Sequence, residues 1–422
     1  MIQTVPPLER VPRSSRLTMA LRAGAWAGIT GGHLVATTGR RLARRPHREP
    51  GLIELLTRLG PTFVKGGQLL STRTDVLSER RREQLRQLHD RVAPMSAHTA
   101  RTTLALAYPG GSPFARIAEE PAGSGSIASV YQAWLPDDTP VAVKVRRPGI
   151  GPRMRTDFEL LGAGARLAQR LPGLHRVPMC RMVRHVSAAV LQQLDLAQEA
   201  VALATLRRNL ADVSSFRIPA PLPELSRDDV LVMEWIPGLR RFRPGELTRE
   251  QRRQIVRQVL QGVYRMLFVD GLVHCDMHPG NLYLSDADVV LLDAGFVVQL
   301  DPQVRRLFAE FFLNMSLGRG EQAAEVVLRS AEHVPASCDL AAFRSGVREL
   351  VESTHRRTAG QFRLGPFATR LFDLQRRSGI AAAPEFVFPL MSLLVLEGMI
   401  NEFDVDVDFQ AEAIPTLLAV LR

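Results

Sequence analysis

The most constraining stretch of the chain is residues 271–295, GLVHCDMHPGNLYLSDADVVLLDAG, which sets Asp276, Asn281 and Asp293 at intervals of five and twelve. Between Asn281 and Asp293, two short apolar runs (LYLS and VVLL) flank a polar DAD, the pattern of two strands joined by a tight turn. Such a hairpin folds back on itself, so that oxygen-bearing side chains distant in sequence meet at one edge. Carboxylate and amide oxygens are the hard ligands that magnesium selects. A further carboxylate beside an acceptor hydroxyl can orient it or take its proton. Phosphoryl transfer from ATP is one reaction that needs these parts: a base or orienting carboxylate beside the acceptor and two oxygen ligands for magnesium.

The order and spacing match the protein-kinase pattern His-Arg-Asp-x-x-x-x-Asn followed by Asp-Phe-Gly, here His274-Cys275-Asp276, Asn281 and Asp293-Ala294-Gly295. Upstream, GSGSIASV fits Gly-x-Gly-x-x-Gly-x-Val, with Gly123, Ser124, Gly125, Ser126 and Val130 in the phosphate loop and Ala128 at the third glycine. A glycine loop alone is weak evidence. Here the strand VAVK follows, with Ala142 against the nucleotide and Lys144 fourteen residues after Val130, as for a lysine that pairs phosphates. Glu234 ends a further apolar strand, DDVLVMEWI, where a hinge to the adenine would fall.

Composition singles out the same lysine by another route. Of 54 basic residues only Lys65 and Lys144 are lysine. The abundance of Ala, Arg and Gly suggests a genome in which lysine codons have drifted to arginine. A lysine that survives such drift stands where a compact ammonium cannot be exchanged for a planar guanidinium fork.

The 422 residues, 45% of them hydrophobic, suffice for a large core in two lobes. Cys180, Cys275 and Cys338 are too scattered for a disulfide framework or a metal knuckle, which suits a reducing cytoplasm. No run of about 18 residues is free of charge, so a soluble chain is expected, at most peripheral to a membrane. Residues 1–60 carry ten arginines against three glutamates. Residues 1–50 read as a poorly ordered basic arm, whose surplus also suits docking on an anionic membrane surface. Nucleic acid is not an expected partner, because the basic stretch lacks interleaved aromatics. Oligomeric state is not legible.

Beyond the arm, residues 51–110 read as helical, with Pro61 opening a helix PTFVKGGQLLSTR and LSERRREQLRQLHDRV following as a charged amphipathic helix. Residues 111–238 read as a sheet-rich lobe with a helical insertion over about 154–210, and 239–422 as a second, mainly helical lobe. Thr248 and Gln251 form a capping-box pattern ahead of a helix ending near Gly271, and everything past Val298 reads as helical.

LGPTFVKGGQLLSTRTDVL resembles the Lys-x-Gly-Gln signature of the UbiB family of atypical protein-kinase-like ATPases, with Lys65, Gly67 and Gln68 in the motif positions. VAVKVRRPGI, HCDMHPGNLYL and LLVLEGMINEFDVDVDF extend the resemblance from about Gly51 to Asp408. It implies an α+β, bilobal kinase-like fold with an appended N-terminal helical extension. It pairs Lys144 with Glu199, puts Asp276 in the catalytic-base position and Asn281 and Asp293 on Mg2+, and aims Lys65 and Gln68 into the nucleotide site from the appended helices. It also implies ATP and Mg2+ as cofactors and a small, lipid-like acceptor in quinone, lipid or isoprenoid metabolism. The chain departs from the family in four places. Glu-x-Asp reads Gln193-Leu194-Asp195, the alanine-rich loop reads Gly123-Ser124-Gly125, Asp-Phe-Gly reads Asp293-Ala294-Gly295, and a C-terminal membrane hairpin is not expected. The Ala-Pro-Glu at 383–385 is too far from Asp293 to close an activation segment and reads as coincidence.

His274 is expected to order the catalytic loop rather than carry protons, His278 to cap that loop or approach phosphate, and Cys275 to pack. Zinc on these three explains the neighbouring aspartates less well than the kinase pattern does. The leading function is an ATP-dependent phosphotransferase or ATPase. The alternatives are a phosphotransferase of a specialised-metabolite pathway and a non-catalytic nucleotide-binding regulator of a biosynthetic complex.

Overall fold

The computed structural model describes residues 14–42, 52–71, 85, 94–171, 179–213, 216–241, 243–277, 280–285, 288–354, 361–382, 384–403 and 406–422. Three helices come first: α1 (Arg16–Leu42), α2 (Leu52–Leu59) and α3 (Pro61–Ser71). The helix expected over 77–92 lies outside the described residues except for Leu85, which is buried against Val64 of α3. α4 (Ala97–Ala107) starts on Ser96, whose side chain caps the amide of Thr99.

The sheet that follows contains β1 (Arg116–Ile117), β2 (Gly123–Ser124), β3 (Ala128–Trp134), β4 (Pro140–Arg146) and, after an insertion, β6 (Val230–Glu234). Its antiparallel order is β1-β3-β4-β6, with β2 also on β3. Strand alternation places Lys144. Val141, Val143 and Val145 face one way, into a core with Tyr131, Val230, Val232 and helix α4. Ala142 and Lys144 must then face the other way, and their cross-strand partners Met233 and Leu231 are buried in the main core on that side.

The insertion consists of α5 (Ile150–Ala168), α6 (Met179–Gln192) and α7 (Leu196–Asn209). β5 (Phe216–Arg217) and β7 (Arg240–Arg241) flank the hairpin of β9 (Leu282–Ser285) and β10 (Asp288–Leu291), giving the order β5-β10-β9-β7. α8 (Arg249–Tyr264) begins with the expected reciprocal capping box of Thr248 and Gln251. It runs into a π-helical turn, Arg265–Asp270, and stops at Gly271, whose φ of 71° is the left-handed cap that glycine takes without strain. β8 (Leu272–His274) then pairs with β11 (Val297–Gln299), closing the loop that carries Asp276.

The rest packs as α9 (Pro302–Ser316), α10 (Gly320–Arg329), α11 (Leu340–Glu352), α12 (Leu364–Arg377), α13 (Val387–Phe403) and α14 (Phe409–Leu421). This part was expected to be wholly helical, yet β12 (Ala331–His333) pairs with β13 (Ala381–Ala382). Two- and three-residue strands have no periodicity of their own; the pairing is imposed by the helices that bring the two segments together.

The arm expected to be poorly ordered over 1–50 also needs correcting where it is described; residues 1–13 and 43–50 lie outside the described residues. Residues 16–42 form one long helix, fastened by Asp157 of α5, which is fully buried. Asp157 accepts from Arg22 of α1 at 2.5 and 3.0 Å and from the Thr62 hydroxyl of α3 at 2.6 Å. Trp26 packs edge-on against Phe63 with ring centroids 4.9 Å apart. α1 and α3 are thereby tied to one anchor. No helix among the described residues is long and apolar enough to cross a membrane.

Candidate active site

The cleft beneath the sheet is organised around one ammonium. Lys144 Nζ donates to Glu199 Oε1 at 2.6 Å and to Asp293 Oδ2 at 2.7 Å. Glu199 reaches it from the first turn of α7. Asp195 caps that helix by accepting from the amide of Gln198 at 3.0 Å. The second acid of the altered Glu-x-Asp motif thus fixes the helix that presents Glu199. Gln193, in place of the first acid, is buried with its Nε2 unpartnered among the described residues. Glu199, at 2% exposure, is no ordinary surface carboxylate.

Two carboxylates sharing one ammonium cannot both ionise with equal ease. Burial, and then the nearby Asp293 charge, push the Glu199 carboxyl up to about 7 against the pull of Lys144. Burial acts on Asp293 in the same direction. Lys144, the Gly295 amide at 2.9 Å and Lys65 overcome it and hold the carboxyl well below the usual range. Lys144 itself, which burial would lower, is held above the ordinary lysine range by Asp293 and Glu199. The Asp293 side chain keeps 36% exposure, so the charge is reachable from the cleft. Gly295 makes room for this arrangement, because a Cβ there would come within 3.3 Å of Asp293 Oδ1 and 3.5 Å of Glu199 Oε2.

The loop that carries Asp276 is pinned by His274, as expected of an ordering residue. Its Nδ1 accepts the Asp276 amide at 3.2 Å, so its Nε2 carries the proton and donates to the Asp293 carbonyl at 2.8 Å. Both ring nitrogens are thereby engaged, and burial lowers the imidazole pKa. Cys275 is a buried packing residue, its thiol pushed up first by burial and then by Asp276. His278 lies outside the described residues. Asn281 Nδ2 donates to the Asp276 carbonyl at 2.8 Å, and the Leu292 amide donates to the Asn281 carbonyl at 3.2 Å. The hairpin therefore closes as the spacing predicted. An ionised, half-buried Asp293 and an Asn281 whose amide nitrogen is committed, leaving Oδ1 as the available atom, form a donor set that fits magnesium.

Lys65 lies on α3 at 8% exposure, and its Nζ donates to Asp276 Oδ2 at 2.7 Å. Gln68 follows on the same helix, and its side chain lies outside the described residues. Val130 sits opposite Lys144 across β3 and β4, and Ala142 lies on the same face.

Two of the expected contacts are rearranged. The Gly125 amide is already used, donating to the Ala128 carbonyl at 2.8 Å, and Gly123 is paired to Val130 in the strand. Neither glycine has a positive φ, and a Cβ on Gly123 meets nothing within 4 Å, so the fold alone does not demand glycine there. At Glu234, the carboxylate accepts from Arg217 at 2.6 Å and from the Ala220 amide at 3.1 Å, while its own amide donates to the Ala220 carbonyl. Those groups brace β6 against the preceding segment and are not open to an adenine. Sequence reasoning missed Arg147, which donates to the Gly125 carbonyl at 3.1 Å and to the Ser124 hydroxyl at 2.9 Å, bracing the loop that includes Ser126. The second arginine of VKVRRPGI was the only available signal.

The model of the ABC1 atypical kinase-like domain matches residues 87–327, which include Lys144, Glu199, Asp276, Asn281 and Asp293. The chain belongs to this family of atypical kinases. Among its relatives named "Probable protein kinase UbiB", that of Marinobacter nauticus is 32% identical over 86% of this chain and 68% of its own. The Azotobacter vinelandii relative is 30% identical over 91% of this chain and 74% of its own. A solved structure titled as the complex of Rv3197 with erythromycin, from Mycobacterium tuberculosis, superposes with a TM-score of 0.56. It is 18% identical and covers 93% of this chain and 100% of its own. The fold is therefore kinase-like, α+β and two-lobed, as the motifs implied.

The Glu199 carboxyl gives this ABC1-family cleft a distinct pH signature. Its raised pKa means that its contribution to stability is complete below the ordinary value of 4.5 and is lost as pH rises through about 7. Glu199→Gln removes that slope. Relative to the parent, the variant should gain on the order of 1–3 kcal/mol in urea unfolding between about pH 5 and about pH 8. A pH-independent difference would mean that Glu199 is already ionised throughout.

Proposed function

We propose that this chain is a Mg-dependent, ATP-binding atypical kinase or ATPase of the UbiB type, acting on a small lipid-like molecule in quinone, lipid or isoprenoid metabolism. The observation that carries the proposal is Lys144 held between Glu199 and Asp293. On this reading Lys144 would turn its ammonium from Asp293 to the α/β-phosphates of ATP, while Glu199 keeps it oriented. Asp293 and Asn281 hold the magnesium, which when bound neutralises charge developing on the transferred phosphoryl. Val130 and Ala142 cover the base. The loop 123–126, braced by Arg147, lies along the phosphates.

Asp276 is the group that orients the acceptor, and Lys65 has to leave its oxygen, or share it, when the acceptor arrives. An acceptor that reaches Asp276 past α3 is small or slender, which favours a metabolite over a folded protein. Asp293→Asn should lower ADP release by about 10² to 10³-fold, the usual loss when a preorganised charge-stabilising group is removed. Near-parental turnover would remove the proposal.

The same reading brings the protein to a membrane surface through α1. From Ala23 to Gly39 this helix has no Asp, Glu, Lys or Arg and one histidine, His33, and Leu17, Leu21, Leu34 and Val35 are exposed on it, beside the arginine surplus of residues 1–60. Pelleting with liposomes should require anionic headgroups and weaken with salt, as the screening length falls from about 10 Å at 0.1 M to about 3 Å at 1 M. Equal binding to neutral vesicles would exclude the electrostatic part, and no binding would exclude the surface.

A further inference from the structure

Outside the cleft, the joint between α2 and α3 is built around a buried carboxylate that takes no part in the chemistry assigned to the cleft. One residue, Gly60, separates the two helices, and its φ of 112° lies where glycine alone goes without strain. Pro61 behind it disfavours a helical conformation at Gly60, so the joint is a corner, and glycine leaves its angle free. Side chains fix that angle instead. Arg22 of α1 donates through Nη2 to the Leu59 carbonyl at the end of α2, at 2.6 Å. The same guanidinium donates to both oxygens of Asp157, and Asp157 Oδ2 also accepts from the Thr62 hydroxyl at 2.6 Å. One arginine thus holds the end of α2, and the carboxylate it binds holds the start of α3.

Thr62 and Lys65 are three residues apart, so they share one face of α3, about 4.5 Å apart along its axis. Both are buried, Thr62 on Asp157 and Lys65 on Asp276. A helix hinged on a glycine can roll about its own axis. The bond to Asp157 stops that roll one turn ahead of the lysine.

We propose that Asp157 is the positioning residue for Lys65: through Thr62 it sets the roll of α3 that puts the Lys65 ammonium on Asp276. The hold on Lys65 stands on geometry alone, whereas its consequence for turnover rests on the reading of Asp276 as the group that orients the acceptor.

Lys65 and Lys144 are the only lysines of the chain. Acylation of the full chain with N-hydroxysuccinimidyl acetate, read by peptide mass spectrometry, therefore reports each of them separately. Thr62→Val removes the hydroxyl and keeps the shape. Lys65 should then be acylated about tenfold faster or more, the worth of one hydrogen bond to a charged group, while Lys144, held by its own two acids, keeps the parental rate. Thr62→Ser, which restores the hydroxyl, should return Lys65 to the parental rate. In MgATP turnover, Thr62→Val should change kcat and leave KM for ATP within about threefold. Should thermal melting show that Thr62→Val is unfolded, Thr62→Ala, which brings no second methyl against Asp157, decides. An unchanged Lys65 rate would overturn the positioning role, and so would equal acceleration at both lysines, which marks general loosening. Unchanged kcat in a variant whose Lys65 is released would overturn its part in turnover. A parent without MgATP turnover would remove the reading of the cleft, and the acylation rates would still decide the hold of Asp157 on Lys65.

Discussion

The cleft rests on a shortage of positive charge: two carboxylates, Glu199 and Asp293, compete for the one ammonium of Lys144. Burying such groups costs several kcal/mol per ion unless each finds a partner. The elements that carry them are therefore held together by the cost of separation. β4 brings Lys144, α7 brings Glu199, and the turn between β10 and β11 brings Asp293. A second buried pair, Lys65 with Asp276, extends the same constraint to α3. The smallness of Ala294 and Gly295 is part of this solution. The Ala294 amide faces Glu199 Oε1 at 3.5 Å, and a side chain on Gly295 would press on Asp293.

A cleft balanced in this way responds to added charge. Any cation placed on Asp293 releases Lys144 from it, which favours ionisation of Glu199 and tightens the remaining pair. Phosphate oxygens arriving at Lys144 act in the opposite sense, because their negative charge disfavours ionisation of Glu199. The Lys65–Asp276 pair works differently, because on the proposed reading Asp276 is the group that orients the acceptor. Asp157 then acquires a meaning beyond stability: by binding both Arg22 and Thr62, it fixes the helix from which Lys65 reaches the loop.

What could be read from the sequence was whatever obeys a short period or a fixed spacing. The hairpin between Asn281 and Asp293, the inward aim of Lys144 in an alternating strand and the capping box at Thr248 are local rules, and the structure follows them. Glu199 was placed by family resemblance across an insertion that no local rule spans. Arg147 and Asp157 were missed because their partners lie 22 to 135 residues away, where periodicity carries no information. α1 was misread for a related reason. Its glycines lower intrinsic helix propensity, and the order comes from Arg22 and Trp26 binding groups on α5 and α3. Glu234 shows the opposite error: its position at the end of β6 was legible, but the arginine that occupies its carboxylate was not.

The central claim is a division of labour between the two lysines, with Lys144 serving the nucleotide and Lys65 serving Asp276. Titration of Lys65→Arg and Lys144→Arg with MgATP, followed by calorimetry, tests it most directly. A guanidinium at Lys144 keeps the charge but cannot sit between two acids as a compact donor, so binding there should fall steeply. Lys65→Arg should bind MgATP within about threefold of the parent, a change smaller than one hydrogen bond can produce, while its turnover changes. Loss of MgATP binding by Lys65→Arg as complete as that by Lys144→Arg would contradict the account.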